Sequence, residues 1–111
     1  MSDRNEQIRR RMLNIARLRD EANQGGFVSV RVVATARDDE DRPVDSDTHA
    51  QELIDSLIEW GLLEESRDVH SQSGAKREFG HRRVRITGKG WKLWMGEIPP
   101  IPGVADSRFG D

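Results

Sequence analysis

The chain has 111 residues, of which 34% are hydrophobic and 34% charged, with 18 Lys and Arg against 20 Asp and Glu. That length fits one domain with a small core, and the absence of Cys excludes a disulfide scaffold, a Cys-ligated zinc site and a thiol nucleophile. No apolar run approaches the ~20 residues of a spanning helix, and the charged opening stretch does not read as a secretory signal, so a soluble cytoplasmic protein is expected.

In chain order, the first element is a helix from about Asp3 to Ala22. Ile8, Met12, Ile15 and Ala22 form its apolar stripe, with Ala16 and Leu18 on the shoulders. Leu13 falls among the polar positions, and Arg9, Arg10 and Arg17 project toward solvent. Gln24-Gly25-Gly26 ends the helix. Residues 27–37 admit two readings. Val28, Val30 and Val32 alternate as in a strand, while Ser29 can cap a short helix that buries Val30, Val33 and Ala34. Residues 38–43, Asp-Asp-Glu-Asp-Arg-Pro, read as an exposed acidic loop, mobile and dispensable for folding. Ser46 to Trp60 is the clearest helix. Ser46, Asp47 and Thr48 offer N-cap oxygens, and Thr48 with Gln51 has capping-box spacing. Ala50, Leu53, Ile54, Leu57 and Ile58 make its buried stripe, and Gly61 stops it.

An extended segment then runs from Leu62-Leu63 toward Val69, followed by a polar hairpin tip over residues 71–80. The return strand carries Val84 and Ile86 on one face and Arg83, Arg85 and Thr87 on the other. Thr87 caps a short helix from Gly88 to Met95, which places Trp91 and Trp94 at core-closing positions. A domain over residues 1–95 is thus followed by an extended tail, 96–111. Pro99 and Pro102 have the spacing of a polyproline ligand, and Ile98 and Ile101 can pack on this domain or on a symmetry mate.

Charge is distributed unevenly along the chain. Residues 1–37 carry a balance of +4, residues 38–65 a balance of −10, and residues 66–111 again +4. An acidic centre between basic flanks speaks to partners rather than to fold.

The order of helix, strand or short helix, helix and hairpin is that of a winged helix-turn-helix. Ser46-Asp47-Thr48-His49-Ala50, continued by Ile54, Leu57, Gly61 and Leu62, resembles the third helix and exit turn of MarR/ArsR-like transcriptional regulators. Ile86-Thr87-Gly88-Lys89-Gly90, with Leu93 beyond, resembles the Thr-x-x-Gly phrase that closes the wing in that family. The resemblance covers about residues 27–95. It implies an α+β winged helix: a three-helix core with a β-hairpin wing, here with a short C-terminal helix and a Pro-containing tail. It also implies a DNA-binding or transcription-associated regulator, with the third helix entering the major groove.

The candidate DNA contacts are then Lys76, Arg77, Arg82, Arg83 and Arg85 on the hairpin, with Thr48, His49 and Gln51 near the start of the third helix as base-edge readers. The exposed face of that helix carries Glu52, Asp55 and Glu59 and no Lys or Arg, and such a face repels phosphate. It defines the alternative, a module that binds a basic protein partner through Glu52, Asp55 and Glu59. A homodimer in which basic flanks meet the acidic centre of a mate is a third arrangement. In the acidic loop Pro43 occupies a ligand position of a calcium loop and no Gly follows, and His49, His70 and His81 have no metal spacing. Gly88-Lys89-Gly90 lacks the other residues of a phosphate-binding loop. No metal, cofactor or enzymatic activity is therefore expected.

Overall fold

The computed structural model describes residues 3–23, 26–66 and 81–104. Its elements are α1 (Arg4–Asn23), β1 (Val28–Ser29), α2 (Val30–Val33), α3 (Asp47–Glu59), β2 (Leu63–Glu65), β3 (Arg83–Ile86) and α4 (Gly88–Trp94). The three strands form an antiparallel sheet in the order β1-β3-β2. This is an α+β fold of four helices and a small sheet.

Both readings of residues 27–37 hold, each for part of the stretch. Val28 and Ser29 pair with Val84 and Arg83. The chain then turns into α2, with the Ser29 hydroxyl accepting from Arg31 N. Val30 and Val33, three residues apart, are both buried. The alternation ends at Ser29 because Val30 N donates to Arg82 O at 3.0 Å, which anchors the first turn of α2 on the end of β3.

Helix α3 begins where Ser46 accepts from His49 N. It ends in a Schellman motif: Leu62 N donates to Leu57 O, Gly61 N donates to Ile58 O, and Gly61 has φ +77°. Between these caps Ala50, Leu53, Ile54 and Leu57 are buried. The Thr-x-x-Gly phrase also has a physical basis. Thr87 Oγ1 accepts from Gly90 N at 3.0 Å and donates to Gly61 O at 2.6 Å, which joins the end of α3 to the start of α4. A Cβ on Gly90 would lie 2.4 Å from Leu62 O and 2.7 Å from Ile86 Cγ1, so no larger residue fits there.

Helix α1 buries a wider face than the 3.6-residue stripe implies. Leu13 is buried beside Ile8, Met12 and Ala16, whereas Ile15 is only partly buried, Leu18 is 48% exposed and Ala22 is exposed. The cause is position. Helix α1 packs against α2, α3, β3 and α4, so it is surrounded rather than docked on one side. The same crowding draws in cations expected to be solvated. Arg10 is only 4% exposed, and its guanidinium and that of Arg17 lie 5.3 and 5.0 Å from the Trp94 ring centroid.

The acidic loop likewise departs from expectation at its first residue. Residues 39–43 are exposed, but Asp38 is 2% exposed. Its Oδ1 accepts from the backbone N–H groups of Glu40 and Arg42, and its Oδ2 from Arg4 Nε and Arg42 Nε, all at 2.9–3.0 Å. Four converging donors make a buried carboxylate tolerable. Arg4 also bonds Pro43 O and pairs with Asp45 at 3.1 Å, so the loop is clipped to the start of α1. The tail, finally, does not run on extended over its described residues, 96–104. It turns back so that Val104 is buried and Ile101 partly buried against the core of this same domain.

Two outcomes follow from this packing. Leu57→Ala, at a fully buried position, lowers stability in urea titration by about 2–5 kcal/mol. The second concerns Asp38. Burial pushes its pKa up, but the backbone donors of Arg42 and Glu40 and the guanidiniums of Arg4 and Arg42 outweigh that and hold it at about 2. Its folded value is below its unfolded one, so its contribution is present above about pH 4 and is lost as pH falls toward 2. The thermal midpoint of Asp38→Asn therefore lies below that of the wild type above pH 4, and the gap closes on acidification.

Candidate interaction surface

The hairpin cations expected to line one surface are placed differently from one another. Lys76 and Arg77 lie outside the described residues. Arg83 is exposed, in register with Ser29 of β1. Arg85 pairs with Glu64, its cross-strand neighbour on β2, and its guanidinium stands 4.6 Å from the Phe27 ring centroid. Arg82 does not face solvent. At 9% exposure it makes a two-bond contact with Glu65, Nη2 to Oε1 at 2.9 Å and Nε to Oε2 at 3.1 Å, and Nη2 also meets Asp55 Oδ1 at 2.5 Å. Glu65 above all, and then Asp55, raise its pKa against the opposing effect of burial, so it is a permanent cation.

The start of α3 carries the expected base-edge readers. Thr48 is exposed. His49 is engaged at both ring nitrogens: Nδ1 accepts from Asp45 N at 3.0 Å, and Nε2 lies 2.9 Å from Asn5 Oδ1 on α1. Gln51 is half-buried, with Oε1 3.5 Å from Arg82 Nη1. Of the three, Thr48 presents its side chain outward, while the other two serve the domain itself.

Along the rest of α3, Glu52, Asp55 and Glu59 are all exposed, continuing from Asp47. No Lys or Arg occurs between residues 47 and 59. The partners Glu64 and Glu65 were not among the sequence candidates. Glu64 could have been found, since pairing Leu63 with Ile86 sets it opposite Arg85. Glu65 and Arg82 could not, because Arg82 precedes β3 and no strand period fixes where its side chain points. A scan against family models and searches of curated proteins and solved structures give no match for this chain. Among the described residues, no helix is long and apolar enough to cross a membrane, and no three His, Asp or Glu converge to hold a metal.

Arg82 is thus a structural cation. Arg82→Met leaves Glu65 partly buried without its guanidinium and costs about 1–3 kcal/mol in urea titration, between the values for exposed and buried pairs. The double variant Arg82→Met with Glu65→Leu recovers part of that loss, because the remaining half-buried charge is gone.

Proposed function

We propose that this chain is a small winged-helix module whose third-helix face binds a basic protein partner. The order of elements, the Schellman exit of α3 and the Thr87 cap with its closely packed Gly90 support the likeness to MarR/ArsR-like domains. The observation that carries the reading is the inward turn of Arg82. Its charge is spent on Glu65 and Asp55, leaving Asp47, Glu52 and Glu59 exposed on a helix without a cation. In a groove reader this helix meets phosphate, where each anion adds repulsion. Against a Lys- or Arg-rich protein segment the same face attracts over about a Debye length and speeds encounter. DNA-binding regulation is the second reading, favoured by the exposed Arg83.

One titration separates the two. Fluorescence anisotropy is measured at about 50 mM and 200 mM salt with a labelled Arg/Lys-rich peptide and with a labelled DNA duplex. The expected result is salt-sensitive peptide binding, weakened about tenfold by Glu52→Lys with Glu59→Lys, changes that leave the Arg82–Asp55 pair intact. Duplex binding that Arg83→Glu abolishes, with no affinity for the peptide, establishes the DNA reading and overturns the first.

A further inference from the structure

The returning tail is held by contacts that read its backbone. Residues Ile101-Pro102-Gly103-Val104 form a turn closed by Val104 N donating to Ile101 O at 3.1 Å. Pro102 takes the second position and Gly103, at φ +98°, the third, which is the residue pattern of a type II turn. The flanking Val104 enters the core and Ile101 packs against it. Both polar groups of Gly103 are taken up by α1: its carbonyl accepts from Arg9 Nη1 at 3.0 Å, and its N–H donates to Glu6 Oε2 at 3.3 Å. Its α-carbon lies against the indole of Trp60, at the end of α3. A Cβ there would stand 2.5 Å from Trp60 Cη2 and 3.1 Å from Cζ3.

The residues doing the reading are themselves fixed. Arg9 Nε donates to Ser56 Oγ at 2.9 Å, Ser56 donates on to Leu53 O, and the Arg9 guanidinium lies 5.0 Å from the Trp60 centroid. Lys89 Nζ donates to Trp60 O at 2.8 Å, which holds that residue from the other side. Three chemical requirements follow for whatever occupies this place. The third turn residue must be Gly, because the ring excludes a side chain and φ is positive. The second favours Pro, which presets the turn. The flanking residues must be apolar.

We infer that the α1–α3 face around Trp60 is a peptide-recognition site for an apolar-Pro-Gly-apolar turn. The chain's own tail keeps it filled, and a partner segment carrying the same turn occupies it when the tail is displaced. Only residues 96–100 separate the end of α4 and its cap from the turn, so the tail acts at an effective concentration on the order of millimolar. The wild-type chain is therefore a closed receptor, and a competitor enters only by outbidding a tethered copy of itself.

The test uses the full chain, with the indole N–H resonances of Trp60, Trp91 and Trp94 as separate reporters. Gly103→Val places a side chain against the ring and unseats the tail. Val104→Asp does so independently by putting a charge at the buried anchor. In both variants the Trp60 resonance moves while those of Trp91 and Trp94 stay. Adding a synthetic peptide of residues 97–104 returns the Trp60 resonance toward its wild-type position. The peptide binds the variants at least about tenfold more tightly than it binds the wild type, whose site is already filled. The same peptide with Val in place of Gly103 has no effect. A Trp60 resonance unmoved in both variants overturns the inference. So does a displaced resonance that the peptide fails to restore at about 5 mM, which would mean that tethering rather than recognition seats the tail.

Discussion

Arg82 is where four elements meet. Its guanidinium holds Glu65 of β2 and Asp55 of α3, and its carbonyl accepts the N–H that opens α2, while the residue itself leads into β3. A cation in such a place stays charged and must keep its partners, since leaving either charge alone in a partly dry setting costs more than the pair gains. That requirement ties α3 to β2 and to the start of β3, beside the burial of Leu53, Ile54 and Leu57. It also shows how a chain with 34% hydrophobic residues completes its interior. Asp38 ties the loop to α1 by the same logic, and Arg9, Arg10 and Arg17 cover the flanks of Trp60 and Trp94 with guanidinium faces.

The same lock shapes the surface. Each cation drawn into the domain is removed from any conversation with a partner, and each anion on α3 that is not so matched remains on display. Arg82 and Arg85 are occupied at home, whereas Glu52 and Glu59 are not buried by any element. Net charge near neutrality therefore conceals a local imbalance created by folding, which is the form in which electrostatics chooses partners and sets encounter rates.

Much of this architecture could be read from the chain. Helix α3 was legible because caps, stripe and stop agree: Ser46 at its start, Leu53, Ile54 and Leu57 along it, Gly61 at its end. Thr87 and Gly90 were legible for the same reason, as local geometry with one solution. What escaped were long-range pairings between polar residues. Nothing in Asp38-Asp39-Glu40-Asp41 distinguishes the first carboxylate from its neighbours until Arg4, 34 positions away, comes to it. Arg10 and Arg17 look like solvated helix positions because periodicity assumes one wet face, and α1 is enclosed by partners on several sides. Of the surface candidates, Thr48, Arg83, Glu52 and Glu59 lie where a period-based reading puts them. Arg82 departs from that reading because charge alone does not say whether a side chain points to water or to a carboxylate.

The seam at Ser29 and Val30 bears on the order in which the domain can assemble. A four-residue helix is far below the length at which helices persist alone, because nucleation costs more than one turn returns. Helix α2 therefore exists only once β1 has paired with β3 and Val30 N has met Arg82 O, contacts that span about half the chain. A nascent chain leaving the ribosome therefore lacks its second helix until residues 82–86 have emerged. Closure of the domain is thus a late, long-range event, and its speed is governed by the search that brings the two ends of the sheet together.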